Sequence, residues 1–221
     1  MKPLFITLFF FSFFFFAQKS FSQASSVSIK KTIRGEFQLP WAMSNKAFTQ
    51  VFSGVFNSGI SFNLGLRQKY NAGIYYAFTQ YQVFPKLVDD PHPIQSTHNA
   101  GIKFTYDLIY EKGIFSPYLA GGYDFVQYSR IKCKTQEPFN KENHTFNAGA
   151  GLTYNFLIDD EWTGAGFTLG YNFLNHIFNP DAVCLNEWHT FSDGNKKGFQ
   201  QNIYFGFSVY FDLAKKPGET E

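Results

Sequence analysis

Eight segments of this chain alternate, residue by residue, between apolar side chains and small or polar ones. In residues 202–213, NIYFGFSVYFDL, one face carries Ile203, Phe205, Phe207, Val209 and Phe211, and the other Asn202, Tyr204, Gly206, Ser208 and Tyr210. A period of two is that of a β-strand, whose successive side chains point to opposite sides. The same habit recurs over 56–66, 72–79, 99–110, 115–128, 145–156 and 165–175. An eighth segment, 29–39, sets Ile33, Phe37 and Leu39 against Thr32, Arg34, Glu36 and Gln38, with a segment nearer Phe48 as the alternative first strand. Beyond the first residues there is no run long enough for a membrane helix and no convincing period of 3.6.

Ten-residue alternating segments separated by turns are the pattern of a transmembrane β-barrel. The connections agree, running long and short in turn. The short ones are RQKYN, EKGI and DDEWT; the long ones are PWAMSNKAF, FPKLVDDPHPIQST, KCKTQEPFNKEN and FNPDAVCLNEWHTFSDGNKKG. The fold expected is therefore all-β, an eight-stranded antiparallel transmembrane barrel with its short turns and both termini at one end.

The glycines decide which face looks inward. Gly59, Gly65, Gly73, Gly101, Gly122, Gly149, Gly151, Gly166, Gly170 and Gly206 all fall on the polar faces. An eight-stranded barrel is narrow and filled by side chains, so glycines there leave room for Tyr75, Tyr118, Tyr204 and Tyr210. Arg34, Glu36, Lys103, Asp107 and Asp124 also point inward, where they can neutralise one another. On the lipid side, a charge at mid-bilayer would cost about 2–4 kcal/mol, and the apolar faces carry none.

The first residues, MKPLFITLFFFSFFFFAQKSFSQ, have a basic Lys2, an apolar run and a small-x-small site at Ser20–Ser22. That is the layout of a secretory signal peptide cut after Ser22. The domains expected are a signal at 1–22, a barrel at 23–213 and a short periplasmic tail at 214–221. Loss of Lys2 and Lys19 leaves 17 basic residues against 17 acidic ones. With no basic patch interleaved with aromatics, nothing asks for nucleic acid. An exported chain with two cysteines, Cys133 and Cys184, sits in a compartment that permits a disulfide. These two lie in neighbouring long loops, where a bridge or free thiols are both open.

Over residues 29–213 the chain resembles the small eight-stranded outer-membrane barrels related to OmpA and OmpX of Gram-negative envelopes. The terminal YFGFSVYF resembles the assembly signal that the barrel-insertion machinery reads, an inward glycine followed by alternate apolar residues; here these are Gly206, Val209 and Phe211. Two departures are Tyr204, at a position usually more polar, and the tail DLAKKPGETE after the last aromatic. The resemblance implies an outer-membrane location and partners among outer-membrane lipid and lipopolysaccharide, with no cofactor.

One enzyme class on this scaffold removes acyl chains from lipid A and carries a motif like His-x-Ser-Asn. Here His176-Ile177-Phe178-Asn179 puts Phe178 in the nucleophile's place, with Glu187 downstream; a phenyl ring cannot attack a carbonyl. His92, His98, His144, His176 and His189 fall in or beside predicted outer loops without the spacing of a metal motif. Trp41, Trp162, Tyr70, Tyr110, Tyr128 and Tyr154 sit near strand ends, as interface anchors do. Trp188, in mid-loop, is placed to anchor a loop or meet a partner. No catalytic, cofactor or metal residues are assigned. The function expected is structural or adhesive duty, or service as a small subunit of a larger envelope complex, with recognition on the outer loops. The alternatives are a narrow OmpW-like pore and a deacylase-like barrel without its nucleophile.

Overall fold

The computed structural model describes residues 31–66, 69–87, 93–131, 133–134, 139–158 and 163–213. The expected signal peptide and the tail at 214–221 lie outside the described residues. Nine strands follow one another: β1 (Lys31–Ala42), β2 (Phe52–Gly65), β3 (Tyr70–Val83), β4 (Ile94–Tyr106), β5 (Leu108–Tyr110), β6 (Gly113–Ile131), β7 (Phe139–Ile158), β8 (Thr163–Leu174) and β9 (Gln200–Asp212). A short helix, α1 (Lys46–Val51), joins β1 to β2. β4 and β5 both pair with β6 and make one stave interrupted at Asp107. Every pairing is antiparallel, and β1 against β9 closes the ring, so eight staves form a barrel without an edge.

The alternation settles the facing. Along β9 Phe205, Phe207, Val209 and Phe211 are exposed while Gly206, Ser208 and Tyr210 are buried. Around the ring Phe37, Ile60, Ile74, Ile102, Leu119 and Phe146 are each more than half exposed. A continuous apolar belt of this kind has no place in water. Its height fits a bilayer: Phe156 to Phe146 on β7 is ten residues, roughly 33 Å along the strand and about 25 Å along the membrane normal at the usual tilt.

Glycine is a steric requirement at the closing seam. A Cβ on Gly206 would lie 2.0 Å from the Phe37 carbonyl oxygen and 2.5 Å from the Gln38 Cα, both on β1. Gly170 makes room for a side chain instead, an added Cβ there lying 2.5 Å from the Tyr118 hydroxyl, and Gly151 does both, its Cβ lying 2.4 Å from the Leu169 carbonyl oxygen and 2.5 Å from that hydroxyl.

The strands differ from their predicted bounds: β3 runs on to Val83 and β4 begins at Ile94, within a segment predicted to be loop, and two further differences bear on the site. β1 runs on through Pro40 and Trp41 to Ala42, residues assigned from sequence to a loop. Beyond Gln38 it no longer pairs with β2, and it continues against β9 alone; a proline is tolerated where one side of a strand is unpaired. β6 and β7, 19 and 20 residues long, outrun the predicted segments and carry the ladder well past the belt. There the loop-like sequence NKENH is strand, because its cross-strand pairing with β6 continues regardless of its polarity.

Candidate functional site

Two ion pairs cross the lumen. Arg34 Nη2 meets Asp107 Oδ1 at 2.7 Å, with both side chains 1% exposed. The same oxygen accepts from Ser116 Oγ at 2.7 Å, and the guanidinium lies 5.4 Å from the Tyr210 ring centroid. Lys103 Nζ pairs with Glu36 Oε1 and stands 4.0 Å from the Tyr118 ring centroid. Asp124, expected to share in this neutralisation, forms no ion pair among the described residues. It is fully buried beside Asn99 and Asn147, and Tyr75 donates to Asn147 Oδ1 at 3.1 Å. The Lys103–Glu36 pair and Asp124, but not the Arg34–Asp107 pair, border a cavity of about 80 Å³ whose lining also includes Asn202.

At the loop end the lumen changes from polar to apolar. α1 lies over the mouth with Ala47, Phe48 and Val51 fully buried. Phe48 packs against Phe52 at 4.7 Å, Tyr81 at 5.2 Å and Phe178 at 5.3 Å between ring centroids. Val83, Val126, Tyr128, Ile131, Cys133, Leu174, Val183, Leu185 and Phe191 complete the cluster, so three long loops and the ends of four strands share one small core. Asn45 ties the parts together. It caps α1 by accepting from the Phe48 N–H and donates to the carbonyls of Phe178 and Gly198, at 3.2 and 3.0 Å.

Cys133 and Cys184 are joined by a disulfide with Cα atoms 5.3 Å apart, which pins the third long loop to the fourth. Closing a loop with a sequence separation of 51 removes about 4 kcal/mol of chain entropy from the unfolded state in the simple entropic account. Glu187 sits close to both sulfurs, and among the described residues these three form the one group with metal-ligand chemistry. Two of its three donors are consumed by the bridge. Glu187 instead accepts from the Lys134 backbone N–H at 2.5 Å.

The other candidates fall as follows. Phe178 is a core residue of the cap. His176 Nε2 lies 3.0 Å from the Tyr128 hydroxyl; burial, and secondarily the Lys141 charge, lower its pKa from the ordinary value. Tyr128 is no interface anchor: it points inward and is buried in the cap core, because β6 continues beyond the belt. Trp41, Tyr70 and Tyr110 are exposed on the outer face, and Trp162 lies outside the described residues. Trp188 packs against the cap core, with Lys134 Nζ 5.3 Å from its ring. His98 and His144 are not loop residues but lie within β4 and β7; His92 is outside the described residues. Gly206 lies at the β1–β9 seam with Val209 and Phe211 facing outward beyond it.

The sequence matches no family model and no curated protein. Solved structures do match in fold. Neisserial surface protein A aligns with a TM-score of 0.50 at 12% identity, over 83% of this chain and 97% of its own. A major outer membrane protein from Thermus thermophilus aligns with a TM-score of 0.53 at 8% identity, over 84% of this chain and all of its own. The chain has the small outer-membrane β-barrel fold. In such a barrel the short turns face the periplasm and the long loops face outward. The ion pairs therefore cross the membrane-spanning lumen, and the apolar core with its disulfide forms an outer cap.

Proposed function

We propose that this outer-membrane barrel is a non-enzymatic mount for its cap, and that recognition of a partner by the cap is its work, either as an adhesive surface or as a small subunit of a larger envelope complex. The observation that carries the reading is the core around Phe48 and Phe178. It fills the outer mouth with aromatic and aliphatic side chains and holds the long loops in one arrangement. A rigid outer surface lowers the ordering cost of binding, whereas a pore needs a wetted path through that mouth. The non-enzymatic part rests on Phe178 at the nucleophile's place and on the engagement of His176 with Tyr128 and of Glu187 with Lys134. Gentle detergent extraction of native outer membranes, followed by mass spectrometry of what co-purifies, tests the reading. A stoichiometric protein partner whose cross-links fall on residues of the loops at 43–51 and 175–199 is expected. Recovery of the barrel alone contradicts the subunit form of the reading, and cross-links confined to the periplasmic turns contradict recognition by the cap.

A further inference from the structure

Three successive outward-facing rows cross β3, β4, β6 and β7 near the outer edge of the belt. The inner row is Tyr76, Ala100, Tyr123 and Phe146; the middle row is Phe78, His98, Phe125 and His144; the outer row is Gln80, Ser96, Gln127 and Glu142. Successive rows are about 7 Å apart along the strands. Over that short distance the surface passes from apolar rings, through rings with imidazoles between them, to fully polar groups. His144 lies just beyond Phe146, where the belt measured along β7 has reached its full height of about 25 Å. A side chain that donates hydrogen bonds is costly against acyl chains and favourable against headgroups, so this row marks the headgroup depth.

The middle row is a built surface. Ring centroids lie 4.9 Å apart for Phe78 and His98, 6.0 Å for His98 and Phe125, and 5.2 Å for Phe125 and His144. The Tyr76 hydroxyl is 2.7 Å from His98 Nδ1. With that hydroxyl donating, the imidazole proton resides on Nε2, the ring's other edge. Tyr123 stacks on His144 with centroids 5.7 Å apart and planes 30° from parallel. The two histidines are two strands apart, about 10 Å, too far to share an ion at metal–nitrogen distances near 2 Å. They suit a ligand that offers separate acceptor oxygens. The row contains no carboxylate. Glu142 in the outer row accepts from Gln127 Nε2 at 3.3 Å, so an anion meets the imidazole donors here with no carboxylate in the row to oppose it.

We propose that Phe78, His98, Phe125 and His144, with the Tyr76 and Tyr123 side chains beneath them, seat the phosphate headgroup of an outer-leaflet lipid. The imidazole N–H groups donate to phosphate oxygens, and the aromatic faces take the adjoining apolar part of the lipid. The proposal rests on the outer-membrane reading and names the lipid that one sector of the barrel selects. The test places the full chain in nanodiscs of phosphate-free digalactosyl diacylglycerol doped with either bisphosphorylated lipid A or its dephosphorylated form, and counts retained lipid by native mass spectrometry. Insertion is followed separately by heat-dependent gel mobility. Wild type is expected to retain the phosphorylated form over the other by on the order of tenfold or more, the scale of one or two charge-assisted hydrogen bonds. The double variant His98→Phe, His144→Phe keeps rings at both positions and is expected to insert normally but lose that preference. Equal retention of both lipids by inserted wild type, or a preference that survives in the double variant, overturns the seat. Failure of wild type to insert overturns the membrane reading and the seat with it.

Discussion

Replacing Arg34 by leucine is expected to lower the unfolding free energy of the barrel by about 3–5 kcal/mol, the cost of removing one partner of a buried ion pair. The Arg34 and Asp107 side chains are both 1% exposed, so water cannot replace the guanidinium as it does at a surface pair. Asp107 would keep the Ser116 hydroxyl, but a neutral donor does not replace the guanidinium charge. The position magnifies the effect, because Asp107 is where β4 gives way to β5 and its backbone N–H donates to the Lys69 carbonyl at 2.7 Å. Urea unfolding of the protein in lipid vesicles measures the loss. The double replacement Arg34→Leu, Asp107→Asn should recover much of it, since the buried carboxylate that lost the Arg34 guanidinium is then neutral. A loss below about 1 kcal/mol, typical of a solvated pair, would mean that water reaches this part of the lumen.

Phe178→Ala is expected to cost a similar amount, about 3–5 kcal/mol for a large aromatic removed from a packed core, but in a different place. The Phe178 ring is 1% exposed and packs against Phe48, Phe52 and Tyr128, with centroids 5.3, 5.5 and 6.0 Å away. Without it α1 loses the surface that the last loop offers, and the cap opens by itself. Protease cleavage within 175–199 should rise steeply while the heat-dependent gel mobility of the barrel stays unchanged. The disulfide joins Cys184 to Cys133, so on denaturation the fragments of a cut before Cys184 should stay linked until reduced, whereas those of a cut after it should separate without reduction. Protease resistance equal to that of wild type would mean that the last loop does not depend on the core around Phe48.

The barrel was legible because a closed sheet between lipid and a narrow lumen imposes a different residue class on every second position. Nothing softer than that rule chose Phe207 against Gly206 or Phe146 against Asn147. The inward direction of Arg34, Glu36, Lys103, Asp107 and Asp124 follows from the same parity. Which of them meet does not, because pairing across the lumen depends on stagger between strands distant in sequence. Asp124 shows this: it shares the inward parity of the others, yet its neighbours are Asn99 and Asn147.

The cap was hidden for another reason. α1 is six residues long, too short for a helical period to register, although Asn45 before Ala47, Phe48 and Val51 reads as a cap followed by one apolar stripe. In sequence Phe178 stands out for occupying a nucleophile's place, not as a core residue. Its role depends on contacts with β2, β6 and α1, far away in sequence. His98 and His144 read as residues in or beside the outer loops because polarity rises before the strands end. Pairing between β6 and β7 persists past the belt, and a polar residue in a strand looks like a loop residue when its partner strand is unknown.

Single-channel recording of the oxidised protein in planar bilayers tests the central claim, a membrane barrel whose outer mouth is closed by a packed apolar core. The structure predicts insertion, shown by heat-dependent gel mobility of the same sample, with no steady conductance above the bare bilayer. A stable, ohmic, stepwise conductance from the disulfide-intact protein would contradict it, since ions would then be crossing the place where Phe48 and Phe178 are packed.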